Sequence, residues 1–231
     1  MTQRMIEITS PNFIREEQLG EDSDLSGFFG APRPLALEIG CGTGHFALEW
    51  ARKNPATNLL AIDIYNQGCF KTCRKADEAQ LDNLRVMRLE ARYLLSRVLG
   101  PGSLAAVFVN CPDPWPKKRH RRRRLVNKDF LDLLLYSLGP SGDFFFSPDF
   151  ANYAHEVADL LQSHKGFANC LASPYTTTLP GYPLSKYMRR FLDKGQPIHF
   201  MHYRKQKGVD IDSPPEVCRG FRVRWDKAGN E

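Results

Sequence analysis

Three glycines at every second position, Gly40, Gly42 and Gly44, stand between an apolar run at 35–39 and a helical pattern at 46–53. Glycine lets a backbone turn sharply there and leaves room for another group to come close. The same strand-then-helix rhythm repeats down the chain. Residues 58–63 read as a second strand, followed by a helix at 68–80. Residues 84–89 and 104–110 read as strands three and four with a short helix between them, 127–138 as another helix, and 143–147 as strand five. Alternation of this kind predicts right-handed crossovers and an α/β fold with a doubly wound, Rossmann-like, mostly parallel sheet. At 231 residues and 42% hydrophobic side chains, one core can form without metal or disulfide staples.

The last third changes character. Residues 152–164 read as helix, while 167–172 and 198–203 read as strands, the final one antiparallel to the rest. Between them lies a Pro/Gly/Thr-rich stretch at 173–183 and a charged segment at 186–194. So long an excursion inside a compact domain is usually functional. The expected organisation is an irregular N-terminal arm at 1–33, one domain at 34–206 including a loop at about 173–197, and a C-terminal extension at 207–231.

The formal net charge is +6, but seven cations fall within residues 117–124: Lys117, Lys118, Arg119 and Arg121 to Arg124. The rest of the chain is close to neutral. A concentrated strip favours a polyanionic partner over diffuse adhesion to a membrane, and no apolar run is long enough to span one. The start carries Arg4 and Glu7 with no apolar core, so no secretory signal is read. Six cysteines at 41, 69, 73, 111, 170 and 218 lack metal-ligand spacing. Reduced thiols, a cytoplasmic location and no bound metal are expected.

The glycine turn lies where doubly wound folds bind nucleotides. A dinucleotide site needs a glycine at the sixth position counted from Gly40, and His45 stands there. The pattern from Glu38 to Gly44 is E-x-G-x-G-x-G, which resembles the first motif of Rossmann-like methyltransferases and implies S-adenosyl-L-methionine. Asp63, at the end of the second strand, can accept hydrogen bonds from both hydroxyls of a ribose. Glu90, just past the third, is placed to meet an adenine. Glu38 orients either the turn or the cofactor's amino acid portion. The plain alternative is an ordinary strand–helix connection, with Glu90 a surface glutamate.

After the fourth strand comes Asn110-Cys-Pro-Asp-Pro-Trp-Pro-Lys117, running into the basic residues. Prolines at 112, 114 and 116 each fix a φ and remove a donor, so the segment forms a stiff ledge carrying Asp113 and Trp115 beside the crevice. Seven cations with an aromatic neighbour suit phosphate contacts and base stacking; a solvated face is the plain alternative for the run by itself.

This stretch resembles the signature of the tRNA (guanine-N7)-methyltransferases, and the resemblance extends from about residue 35 to residue 204. It implies a tRNA substrate, methylated at a guanosine of the variable loop (position 46 in tRNA numbering), with no obligate protein partner. It further implies that Asp113 is catalytic and contacts the cofactor along with Glu38, Gly40, Gly42, Asp63 and Glu90. Lys117, Asp149, Ser185, Lys186, Tyr187 and Met188 then fall on substrate-binding positions. Two of the family's residues are replaced: Pro148 stands for a threonine and Met188 for a glutamate. Asp149 can alternatively cap the helix that follows, and Asp193 could compensate for the lost glutamate.

Guanine N7 carries a lone pair and no proton, so its methylation needs no general base, and alignment with electrostatic stabilisation can carry the reaction. Other readings stay open: a methyltransferase acting on another RNA, a tRNA-binding module that no longer reacts, and, more distantly, a nicotinamide dehydrogenase.

Overall fold

The computed structural model describes residues 6–19 and 25–216. Eight strands form one sheet in the order β1-β4-β3-β2-β5-β6-β8-β7. They are β1 (Phe13–Ile14), β2 (Leu35–Ile39), β3 (Asn58–Ile62), β4 (Leu84–Met87), β5 (Leu104–Asn110), β6 (Leu138–Ser147), β7 (Phe167–Asn169) and β8 (Met201–Lys205). Pairing is parallel throughout except at β8, which runs antiparallel to both β6 and β7. The mostly parallel doubly wound sheet with its antiparallel C-terminal strand is the architecture expected from the alternation. Chain order reverses between β2 and β5, which makes the crevice at their carboxyl ends the switch point where such sheets bind ligands.

Helices cover both faces, and strand alternation decides which residues meet them. Ala36 and Phe108 pack with Phe46, Leu48 and Ala51 of α1 (His45–Lys53) and with Ala76 of α2 (Asn66–Glu78). Leu37, Val107 and Val109 point the other way into a larger cluster. That cluster includes Leu94 and Val98, in the π-helical turn after α3 (Ala91–Tyr93), Phe130 and Leu134 of α4 (Lys128–Ser137), and Tyr153 and Leu161 of α5 (Ala151–Ser163). The short helix expected between the third and fourth strands is this α3 with its π turn. β3 is buried along its whole length, the signature of a parallel strand covered on both faces.

Two expectations are revised. The lead-in was read as irregular, yet Phe13 and Ile14 add an edge strand to β4. Asp77 of α2 holds that strand in place, accepting hydrogen bonds from Ser10 Oγ (2.8 Å) and Asn12 Nδ2 (2.7 Å). Two residues are too few to show alternation in a sequence. The long loop also contains a helix, α6 (Lys186–Leu192). The excursion leaves and rejoins the sheet at neighbouring rungs, with Cys170 N–H donating to the His202 carbonyl (2.9 Å) and Thr176 bridging Phe200. The five described cysteines are free, and Cys218, with most of the expected C-terminal extension, lies outside the described residues. No helix among the described residues is long and apolar enough to cross a membrane.

Candidate active site at the carboxyl ends of the central strands

The glycine turn is anchored first by backbone hydrogen bonds. Gly40 N–H and Cys41 N–H both donate to the Ile62 carbonyl (2.8 and 3.0 Å), so the turn hangs from the end of β3. Gly40, Gly42 and Gly44 all have left-handed φ (81°, 54° and 77°), which side chains rarely tolerate. Their surroundings differ. A Cβ at Gly44 would lie 2.6 Å from Thr72, and one at Gly68 of α2 would lie 2.5 Å from the Gly42 carbonyl, so these two let α2 press against the turn. A Cβ at Gly40 or Gly42 would meet open space, so the exposed backbone there faces the crevice.

Asp63 closes the turn: Oδ2 accepts from Gly42 N–H and Oδ1 from Tyr65 N–H, both at 2.8 Å. Burial raises its pKa, and these backbone donors offset part of the rise. Glu90 is more fully engaged than the sequence suggested. It caps α3, accepting from Tyr93 N–H (3.0 Å), and its other oxygen accepts from Arg92 (2.8 Å).

Glu38 sits at the centre, 1% exposed at the end of β2. Burial pushes its pKa up to about 8; the neighbouring Asn110 amide lowers it and the Asp63 charge adds to the rise. Glu38 Oε2, Asn110 Nδ2 and Ser147 Oγ are buried and make no hydrogen bond of full strength; they come from the adjacent strands β2, β5 and β6, with the Asn110 amide near the Glu38 carboxyl and the Ser147 hydroxyl near Tyr182. Each such atom costs about 1–3 kcal/mol if left unmade, so three together mark a place built for a polar guest. Asn110 Oδ1 is taken by Tyr182 from the long loop (2.8 Å). Asn110, Ser147 and Tyr182 were not assigned from sequence. The under-bonded atoms single out the first two, and only folding brings Tyr182 across 72 positions to the site.

The ledge begins as expected. Cys111 N–H donates to the Ser147 carbonyl (3.0 Å), and Cys111 and Trp115 adopt left-handed φ of 45° and 39°, strained for non-glycine residues. Asp113 is exposed, and its charge adds a small rise to the pKa of both Asp63 and Asp149, so it lies within electrostatic reach of each. Burial is the larger cause at each of those two residues. Asp149 does not cap the following helix: Phe150 occupies that position and no side chain caps it.

The basic strip needs correction. Lys117, Lys118, Arg119 and Arg122 are exposed around a short 3-10 turn at Lys118–Arg123, but Arg124 is completely buried. Its guanidinium donates to the Pro114 carbonyl (2.9 Å), Glu156 (2.6 Å) and Asn152 (3.2 Å), and lies 4.6 Å over the Tyr153 ring. Arg124 is therefore a strut under the ledge and leaves the phosphate-facing set. Trp115, expected to offer a stacking surface, has Arg123 4.9 Å over its ring and His120 against its edge at 5.9 Å.

The segment from Ser185 to Met188 divides in two. Ser185 Oγ accepts from Met188 N–H (3.2 Å) while Ser185 N–H donates to Met188 Sδ (3.4 Å), a capping box with a thioether in the acceptor's place. Met188 is fully buried against Ile198 and Phe200 and presents no surface to a substrate. Lys186 and Tyr187 project outward, Tyr187 at 57% exposure. Asp193 stands at the opposite end of α6 and does not take the missing acid's position.

Residues 32–201 match a family described as a putative methyltransferase. A tRNA (guanine-N(7)-)-methyltransferase of Syntrophotalea carbinolica is 56% identical over 227 residues, covering 97% of this chain and 98% of that protein. The protein of the same name from Geobacter metallireducens is 50% identical over 204 residues, covering 88% and 97%. Among solved structures, the 16S rRNA methyltransferase KamB superposes with a TM-score of 0.60 over 81% of this chain and 95% of its own, at 16% identity. At that identity the likeness is one of fold.

Proposed function

The chain belongs to the tRNA (guanine-N7)-methyltransferase family, and on that premise we propose that it methylates N7 of a guanosine in the variable loop of tRNA, using S-adenosylmethionine. In this reading residues 34–206 are the catalytic domain and about 173–197 its substrate loop. The observation that carries it is exposed Asp113 within electrostatic reach of Asp63 and Asp149, beside three under-bonded buried polar atoms.

The residues fit the donor. Glu38 would hold its ammonium and Asn110 its carboxylate, the open faces of Gly40 and Gly42 would admit the rest of its amino acid portion, and Asp63 would meet its ribose. Glu90, held by the α3 cap and Arg92, would border the adenine. Bound there, S-adenosylmethionine supplies a methyl group already activated on a sulfonium. Asp113 then holds the acceptor: it accepts hydrogen bonds from guanine N1–H and the N2 amino group and stabilises the positive charge that develops on the ring. No proton leaves N7, so neither a general base nor a Lewis acid is needed, and the enzyme works in the cytoplasm without metal or protein partner. Lys117 and Lys186 take phosphates, Asp149 and Tyr187 flank the guanosine, and Ser185 with Met188 sets the pitch of α6.

The test is single-turnover transfer from methyl-labelled donor to bulk tRNA, followed by nucleoside analysis and mass mapping of the modified position. Label in 7-methylguanosine of the variable loop is expected. Folded protein that binds tRNA and donor yet transfers nothing would return the chain to a binding role.

Glu38 adds a pH dependence. It must ionise to pair with an ammonium, and its carboxyl is held up at about 8. Donor affinity is therefore expected to rise by up to about tenfold per pH unit between about pH 6 and 8. Calorimetry across that range should show a weaker, flat dependence in Glu38→Gln.

A further inference from the structure

The strip at 117–123 lies on the α4/α5 face of the sheet, where its strut Arg124 is embedded. The opposite face carries a second group of cations that no run in the sequence reveals. Lys71, Arg74 and Lys75 come from α2, while Lys186 and Arg189 come from α6, more than a hundred positions later. Two contacts bring these helices together around the start of α1: Lys75 Nζ donates to the Thr43 carbonyl (2.7 Å), and Arg189 pairs with Glu49 of α1 (2.9 Å).

The acids nearby are already taken. Glu49 is shared by Lys53 and Arg189, and Glu78 pairs with Arg74. Among the described residues Lys71, Lys75 and Lys186 form no ion pair with an acid, and Lys71, Arg74 and Lys186 are exposed. The group repels itself: Lys186, Arg74 and Lys71 add to the burial that lowers the Lys75 pKa, and Lys75, Arg189 and Lys186 do the same to His45. With Arg74 and Arg189 each sharing an acid, the excess rests on Lys71, Lys75 and Lys186, and like charges held together by a fold create a field that a polyanion relieves.

We propose that Lys71, Arg74, Lys75 and Lys186 form a second phosphate-binding surface, so that the RNA backbone is held on both faces of the sheet while the guanosine enters between them. This rests on the RNA substrate proposed above. Charge complementarity selects the occupant: through Lys75 the surface abuts the glycine turn at Thr43, and a folded RNA that reaches Asp113 must lay its backbone along one side or both. Two grips on either side of the reacting base also fix its approach angle, which one strip cannot do.

The experiment measures tRNA affinity against salt for the wild type, for Lys71→Gln/Arg74→Gln, and for Arg119→Gln/Arg122→Gln as the strip control. Each phosphate contact contributes about 0.7–0.9 to the slope of log affinity against log salt. The α2 pair is expected to lower the slope by roughly 1.5 and to raise the KM for tRNA about tenfold at moderate salt. Donor affinity by calorimetry should not change. An α2 pair with the wild-type slope, while the strip control lowers it, overturns the second surface and leaves the RNA reading intact. A wild type with no affinity for tRNA at any salt overturns both.

Discussion

Asp113→Ala is expected to slow methyl transfer to tRNA by about 10²–10³-fold, the usual loss when one well-placed group that stabilises developing charge is removed. The fold should not notice. Asp113 is exposed at the tip of a ledge held by prolines and by Arg124, so its removal should change stability by no more than about 0.5 kcal/mol. Asp113→Asn sharpens the test, because the amide keeps the shape, loses the charge, and can accept through one atom only. The loss should fall on kcat at saturating tRNA and donor, since the carboxylate matters most as charge builds on the ring. Circular dichroism melts beside steady-state kinetics check both halves. A variant that melts normally and still turns over at the wild-type rate removes Asp113 from the mechanism.

Arg124→Met is expected to cost about 3 kcal/mol of stability, close to the lower end of what breaking a buried pair usually costs. One partner, Glu156, remains about a third exposed and can recover water, which keeps the cost from being larger. The Pro114 carbonyl cannot recover so easily, and the Tyr153 ring loses the cation above it. For a chain of this size the melting point should fall by roughly 6–12 °C. Arg124→Lys should recover only part, because an ammonium cannot reach Pro114, Glu156 and Asn152 at once. The contrast lies in RNA binding: Arg122→Ala should lower the salt slope by nearly one and leave the melt alone, whereas Arg124→Met should do the reverse. A slope that drops in Arg124→Met would put this arginine back among the phosphate contacts.

The pair shows what sequence could and could not reveal. Arg122 and Arg124 are indistinguishable in a run of like residues; only the packing of α5 beneath the ledge separates a solvent cation from an internal one. The central strands were legible because burial on both faces makes continuous apolar runs at 35–39, 58–63 and 104–110. The glycine turn and Asp63 were legible because a tight turn needs particular residues at fixed spacing. Tyr182 and the α2–α6 cations were not, since their meaning depends on which distant segments the fold lays side by side. Strand five reads as 143–147 in the sequence, whereas β6 begins at Leu138 and pairs with β5 through a register shift between Leu104 and Ala106. Met188 misled in another way: replacement of an acid suggested a lost substrate contact, while its sulfur completes a helix cap.

The excursion between Cys170 and His202 starts and finishes on adjoining rungs, so the sheet closes whether the intervening chain is long or short. Doubling its length would add only about 0.6 kcal/mol of closure entropy. Chain can therefore be gained or lost at this one doorway without unpairing the sheet, so long as Tyr182 keeps its bond to Asn110.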